Sequence, residues 1–473
     1  MKKKRAYQAA PLQQVRVVEL LPLVMAGCIV ALDIAKQKLV VAVATLAGEV
    51  VKLFRFDHPT ETREFLRVVE ALCVGVEGRN VTAAMEPTGT YGDALRHQLT
   101  CAGVPVRMVS PKRTHDSQEL FDGVRSLHDP KSATLIAKLC AMGLSTPSST
   151  PTETRLRLRA LVEQRQHEQR REEACFGRLE AITARHWPEL GRWVDVRTQR
   201  SALTLLTKYP SPARVAKAPD EARAVLRSAS RMRLSEEAMA GVAADASTTL
   251  GVPRVAEEED FARTLATHLL EAGRSMDALE ARMAEVAKDD EVFARLSTWM
   301  GVYTAAVIVT MVEPRQYATA RQLEKACGLN LREKSSGEHT GRLTITKRGP
   351  GLVRQVLYLF ALRAIQASPA VRAWYRRRRG YTEESKQRAI VAVMRKLVRA
   401  LFHVARGEAF DEKKLFDLRR LDLDPPTSAP SEPLPPNAQT AARQKPLSPR
   451  VTPRPIARGR RRARAAGTPV AAA

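Results

Sequence analysis

An α/β amino-terminal domain followed by a largely helical remainder is the fold that three features of the chain predict. Short apolar runs rich in Val and Ala, stopped by turn-forming residues, recur between residues 29 and 109, and such runs read as buried strands. Helical periodicity with dense Arg and Glu takes over from Glu153. Two of the early runs end on a lone carboxylate: 29–32 runs into Asp33, and 81–85 into Glu86.

The elements follow in order. Residues 29–33 read as the first strand; 38–46 and 50–56, joined by Ala47-Gly-Glu49, read as a hairpin. Residues 60–73 have the spacing of an amphipathic helix, and 81–86 is the next strand. A helix over 91–100 and a strand over 104–109, ended by Ser110-Pro111, lead to a helix over about 130–142. Three consecutive strands, then alternating helix and strand, is the order of an α/β RNase H-like (RuvC-like) domain. That fold gathers acids from its first strand, a later strand and a following helix. An ordinary flavodoxin-like sheet shares much of the pattern.

Ser145-Thr-Pro-Ser-Ser-Thr-Pro151 reads as a linker. Beyond it, 153–182 and 261–286 are long amphipathic helices expected to pair antiparallel, within one chain or between chains, with a break at Tyr209-Pro-Ser-Pro212. Residues 299–312 and 318–329 form two short helices around a Gly-containing turn. They suggest a helix-hairpin-helix-like element that offers backbone N–H groups to phosphate, or a plain αα-hairpin. The expected organisation is a disordered basic leader (1–26), a catalytic domain (27–147), a helical and coiled-coil region (148–290), a mostly α carboxy-terminal domain (291–411), and a disordered Pro/Arg-rich tail (412–473).

Among 473 residues, 77 Lys+Arg against 51 Asp+Glu leave a net charge of +26. So large an excess calls for a polyanionic partner, nucleic acid first. No stretch supplies about 20 apolar residues to span a membrane. Met25-Ala-Gly-Cys28 resembles a lipoprotein cleavage site, but Glu19 interrupts the apolar run and cleavage would remove the first strand. The six cysteines form no C-x-x-C pair, as expected of buried thiols in a reducing cytosol. There is no zinc-ligand spacing and no Gly-rich phosphate loop, which leaves ATP-driven chemistry unsupported.

Two neighbouring strands ending in acids concentrate negative charge, which is costly unless a cation sits between them. An oxygen-only cluster suits Mg²⁺, and paired Mg²⁺ ions cut and join phosphodiesters. The plain alternative is that each acid caps a strand in solvent. Further on, Arg332-Glu-Lys-Ser-Ser336-Gly-Glu-His-Thr-Gly-Arg342 is a polar loop, followed by Lys347-Arg348-Gly349 and an apolar helix over 352–365. Arg376, Arg377, Arg378 and Arg379 sit between Trp374-Tyr375 and Tyr381, a combination suited to phosphate contact or base stacking, or to a solvated helix face. Past Asp424 the chain turns Pro-rich, then Arg-rich, a composition that cannot order itself and adds non-specific nucleic-acid affinity.

These pieces in this order resemble the DEDD insertion-sequence transposases, the IS-one-ten/IS-eleven-eleven group. Leu32-Asp-Ile-Ala-Lys36 is similar to the family's first acidic motif, and Met85-Glu-Pro-Thr-Gly-Thr-Tyr91 to its Glu-x-Thr-Gly-x-Tyr motif. Val109-Ser-Pro-Lys112, Ala326-Cys-Gly-Leu329, Ser335-Ser-Gly337, Thr346-Lys-Arg-Gly349 and Met394-Arg-Lys-Leu397 resemble later family segments. The third acidic motif, typically Lys-Thr-Asp-x-x-Asp-Ala, is here Leu127-His-Asp-Pro-Lys-Ser-Ala133. Asp129 is kept, but Ser132 stands where the fourth acid belongs; His128, Asp116 and Asp122 are the nearby groups that could substitute.

The resemblance implies a DNA transposase/recombinase in which Asp33, Glu86 and Asp129 hold Mg²⁺ (or Mn²⁺). It implies Ser336 as a nucleophile forming a phosphoserine link to DNA, with Ser335 as fallback. Arg332, Arg342, Lys347 and Arg348 would then offset phosphate charge. It implies a structured guide RNA as second partner, a homo-oligomer (dimer or tetramer), and a place on the nucleoid in bacterial cytoplasm. Two other readings remain open at this point. One is a metal-dependent structure-specific nuclease that needs Asp33 and Glu86 but not Ser336. The other is a non-catalytic nucleic-acid-binding descendant of a transposase.

Overall fold

The computed structural model describes residues 7–87, 89–148, 151–333, 335, 341 and 343–421, and the chain divides into two units, 1–150 and 151–473. The strands of the first unit are β1 (Ala10–Pro11), β2 (Cys28–Asp33), β3 (Lys38–Thr45), β4 (Val50–Asp57), β5 (Val81–Met85), β6 (Val106–Val109) and β7 (Ser145–Pro147). Its helices are α1 (Val17–Val24), α2 (Thr62–Gly75), α3 (Asp93–Cys101), α4 (Pro111–Asp116) and α5 (Asp129–Ala141). The sheet order is β1-β4-β3-β2-β5-β6-β7. β2, β3 and β4 pair antiparallel, whereas β5 and β6 continue parallel to β2. A mixed sheet of this kind excludes the all-parallel flavodoxin-like arrangement.

Alternation along the strands builds two cores. Val30, Leu32, Val41, Val43, Ala83 and Met85 face one layer with Phe65, Val69 and Leu72 of α2. Ile29, Ala31, Val40, Ala42, Ala44 and Ala84 face the other, beneath Ala133, Ile136, Ala137 and Cys140 of α5. The second face is mostly alanine, so α5 packs close to the sheet. The strands are apolar on both faces because both faces are covered.

Three expectations need correction. The segment read as a disordered leader is ordered from residue 10 onward. β1 pairs in parallel with β4, and Leu12, Leu20 and Val24 are buried in the first core. Residues 17–24 of the apolar run form α1, which buries Leu20 and Val24 and leaves Val18 and Leu23 exposed, and Cys28, in the lipoprotein-like tetrapeptide, starts β2 as a fully buried thiol. The expected linker begins with β7, which closes the sheet antiparallel to β6, and Ser145 Oγ accepts a 2.8 Å bond from Arg107 Nε across that pair. The start of the expected tail is also ordered: Phe416 is 2% exposed in the carboxy-terminal core.

The second unit is helical. Its helices are α6 (Glu153–His186), α7 (Leu190–Trp193), α8 (Arg200–Lys208), α9 (Pro212–Lys217), α10 (Pro219–Ala229), α11 (Glu236–Ser247) and α12 (Ala256–Val286). Then come α13 (Glu291–Met300), α14 (Val302–Met311), α15 (Ala320–Ala326), α16 (Gly351–Ala367), α17 (Pro369–Arg378), α18 (Glu383–Val404) and α19 (Glu412–Leu415), with a two-stranded ribbon of β8 (Leu331–Arg332) and β9 (Thr344–Ile345). α6 and α12 pair antiparallel within the chain: Arg165 bonds Glu280 at 2.8 Å, and twenty residues on Arg185 bonds Glu258 at 3.2 Å. Leu158, Leu161 and Val162 of α6 share one core with α13 to α18, and the far end of α6 shares another with α7 to α12.

Candidate active site and nucleic-acid interface

β2 and β5 lie parallel with Leu32 opposite Met85, so Asp33 and Glu86, each next in line, leave the sheet at the same edge. α5 begins at Asp129, with Pro130 in its first turn and the His128 ring accepting from the Lys131 N–H. A carboxylate in a helix's first turn is stabilised by the helix dipole. One turn on, Ser132 is buried and donates to the Asp33 carboxylate, which also accepts from the Ile34 N–H. Against those bonds, burial first, then the charge of Asp129, then that of Glu86, push the Asp33 carboxyl up to about 6.

Three acids from three elements therefore act on one another, with a hydroxyl beside them. Among the described residues, no three His, Cys, Asp or Glu side chains stand close enough together to hold a metal ion. The two observations are compatible, because charge acts over a screening length of about 8 Å, whereas a hard cation is held at about 2.0–2.6 Å. The chemistry of the donor set fits a divalent cation: all oxygen, buried in part, and crowded with negative charge that a cation relieves. The acids share a field without closing a coordination sphere.

The proposed substitutes for the fourth acid are engaged elsewhere. Asp122 accepts from Lys131 Nζ at 2.8 Å, from the Val124 N–H at 3.0 Å and from the Tyr7 hydroxyl at 2.9 Å. These bonds, Lys131 first, lower its pKa to about 2. Asp116 is exposed and bound by Lys112 at 2.7 Å. His128 caps α5 and packs edge-on against Tyr7.

In the second unit, Ser336 and Arg342 lie outside the described residues. The base of their loop is well built. Thr346 N donates to the Asn330 carbonyl at 2.9 Å and Lys347 N to that of Gly328 at 3.0 Å. Gly328 has φ +71°, and a Cβ on Gly349 would stand 2.2 Å from the Ala326 carbonyl oxygen, so two backbones touch where only glycine fits. Ser335 is tied into the loop, accepting from the Gly341 N–H at 2.8 Å and donating to Glu333. Arg332 is exposed on β8, and Lys347 and Arg348 are exposed just past β9.

Arg376, Arg377 and Arg378 form the last turn of α17 and Arg379 is its C-cap, where cations are favoured by the helix dipole. Arg378 lies 4.7 Å over the Trp374 ring, Arg379 6.0 Å over Tyr375, and Arg377 donates to the Arg420 carbonyl at 2.9 Å. The two short helices expected over 299–312 and 318–329 correspond to α14 and α15, and α13 joins α14 at Gly301, φ +89°.

Residues 30–175 match a transposase profile of the DEDD, IS110 type, and residues 295–376 match the profile described as the Transposase IS116/IS110/IS902 family. Over these two segments the chain is similar to IS110-type transposases. It is 27% identical over 244 residues to the insertion element IS110 uncharacterized 43.6 kDa protein of Streptomyces coelicolor. That match covers 50% of this chain and 60% of the relative's length.

The first IS110-type match spans Asp33, Glu86, Asp129 and Ser132; the second spans the serine loop and ends at Arg376, the first arginine of the α17 cluster. Sequence reasoning missed two features beside them. Lys131, buried between Asp129 and Ser132, holds Asp122; a lysine in the first turn of α5 was its signal. Lys396, beside Trp374, sits 22 residues away in sequence, and no local pattern links the two.

Proposed function

We propose that this chain is the transposase of an insertion sequence, a DNA recombinase with an RNase H-like catalytic domain. The observation that carries the reading is the coupling of Asp33 to Asp129 and Glu86 at one edge of the sheet, in a segment matched by a transposase family. The antiparallel trio β2–β4 continued by parallel β5 and β6 supports the RNase H-like assignment.

Asp33, Glu86 and Asp129 would hold a divalent cation, Mg²⁺ or Mn²⁺. When bound, such an ion neutralises phosphate charge and lowers the pKa of a bound hydroxyl or water. Ser132 orients the Asp33 carboxylate through its hydroxyl. The family resemblance assigns Ser336 as nucleophile: its Oγ forms a bond to phosphorus, one bridging P–O bond of the strand breaks, the hydroxyl proton passes to a base, and the leaving oxygen is protonated. Arg332, Arg342, Lys347 and Arg348 offset the charge that develops on the phosphate. DNA is the substrate. A structured guide RNA and a dimeric or tetrameric assembly in the bacterial cytoplasm complete the proposal.

The test is covalent trapping. Purified protein is incubated with element-end DNA and Mg²⁺ and resolved under denaturing conditions. A protein–DNA adduct in wild type that is absent in Ser336→Ala supports the reading; an equal adduct in both overturns the serine assignment. A second reading, a binding protein that no longer cuts, draws on Ser132 in the fourth acidic position and on the open spacing of the acids. It predicts tight DNA binding with no adduct from any version.

A further inference from the structure

The strongest unassigned feature is a cavity of about 430 Å³ between α17, α18 and the segment after α19, lined by Trp374, Arg377, Arg378, Lys396, Asp417 and Arg420. Its volume lies in the roughly 300–1,000 Å³ range of sites that enclose a small ligand. Four cations face one acid, and that acid, Asp417, is taken by Arg420 at 3.2 Å. Among the described residues, Arg377, Arg378 and Lys396 pair with no carboxylate. Lys396 is half-buried, donates to the Leu415 carbonyl, and stands 5.3 Å from the Trp374 ring and 5.0 Å from that of Phe416. Its pKa is lowered by burial first and then by Arg399 and Arg378. A crowded, partly desolvated lysine of this kind is relieved by an anion.

The floor of the cavity decides which anion. Trp374 is braced edge-on by Phe416 at 5.6 Å, and Phe416 is 2% exposed, so the indole is a fixed platform. Arg378 and Lys396 cover it only through flexible cationic side chains. A bare phosphate has no use for an indole face, and a duplex keeps its bases stacked inside. A phosphodiester with an unstacked base uses both.

We infer that this cavity seats one unstacked nucleotide of a single-stranded nucleic acid, its phosphate among Arg377, Arg378 and Lys396 and its base on Trp374. The inference rests on the nucleic-acid reading proposed above and extends it to a strand-specific subsite. The site is built from three separate elements, which is why the arginine run in the sequence announces only charge.

The experiment is fluorescence anisotropy of the full chain with labelled oligo-dT, the matching oligo-rU, and a duplex of the same length, over a salt series. Trp374→Leu is expected to weaken single-strand binding at least about fivefold, the lower end of base–aromatic stacking, and to leave duplex binding unchanged. Arg378→Gln and Lys396→Gln are each expected to reduce the single-strand salt slope by about 0.7. Arg378 is exposed, so its variant reports on the site even if Trp374→Leu lowers the melting temperature. Whichever of oligo-dT and oligo-rU loses more identifies the strand type. Equal loss on single strand and duplex, an unchanged slope in Arg378→Gln, or full displacement of the strand by millimolar inorganic phosphate overturns the inference. Cleavage plays no part in this readout. A protein that binds through Trp374 yet forms no adduct contradicts the recombinase proposal and leaves the subsite standing; one that forms the adduct but ignores Trp374 does the reverse.

Discussion

Lys131 Nζ, on a side chain 2% exposed, donates to Asp122 Oδ1 at 2.8 Å and to the Val124 carbonyl at 2.7 Å. The bond closes the stretch 117–128 onto the first turn of α5, and that turn carries Asp129 on one side of Lys131 and Ser132 on the other. Lys131 is thus a positioning residue for the acidic site. Replacing it by Met is expected to reduce strand cleavage about 10- to 100-fold, the range for groups that support metal-ligating residues. Its accompanying signature is a raised Mg²⁺ requirement, with Lys131→Arg partly restoring it. An unchanged Mg²⁺ requirement in Lys131→Met removes the latch from the mechanism.

The same latch sets an acid dependence. Lys131, the Val124 N–H and Tyr7 hold Asp122 at about 2, below its unfolded value of about 3.9. A group whose folded pKa is depressed stabilises the fold above its unfolded pKa, and loses that contribution as pH falls through the folded one. Wild type should therefore melt above Asp122→Asn at pH 5, and the gap should close between pH 4 and 2. Thermal melts of the two proteins across that window check it. A gap that stays constant to pH 2 contradicts the assignment.

The base of the serine loop gives a steric prediction. Gly349→Ala drives a methyl into the Ala326 carbonyl and is expected to cost about 1–3 kcal/mol. Gly351→Ala, at the start of α16 with its nearest neighbour at 3.9 Å, should be neutral or slightly stabilising. Denaturant melts of the two variants side by side decide. Equal stability would mean that the glycine crossing under the loop is not tight.

Ser132→Asp tests the variant motif. Ser132 is buried and donates to Asp33, and a carboxylate there adds like charge to a group already pushed up by two others. The substitution is expected to lower the melting temperature of metal-free protein and to leave recombination unchanged or reduced. A clear gain in recombination would show instead that a fourth acid is what the site lacks.

Much of the first unit was legible because it rests on local pattern. The apolar runs ending at Asp33 and Glu86 are strands buried on both faces, with alternate residues in alternate cores, and α5 starts at Asp129 with Pro130 in its first turn. The ordered leader was not legible. Its helix α1 gains stability by packing on α2, where Leu21 meets Gly75, a contact about 50 residues distant in sequence. β7 hid in a Ser/Thr/Pro stretch because an edge strand needs no apolar run. The motifs name four candidate positions, Asp33, Glu86, Asp129 and Ser132. That Ser132 bonds Asp33, and that Lys131 fixes Asp122, depended on how α5 lies across the sheet.

In the proposed mechanism Asp33, Glu86 and Asp129 act together in strand cleavage while nucleic-acid binding rests on the basic surface. Glu86→Ala tests it most directly, because Glu86 is half-exposed at a strand end and its loss leaves both cores intact. Cleavage of labelled element-end DNA in Mg²⁺ is measured beside binding of the same DNA. The expected result is cleavage abolished with affinity unchanged. Cleavage at the wild-type rate in Glu86→Ala would contradict it.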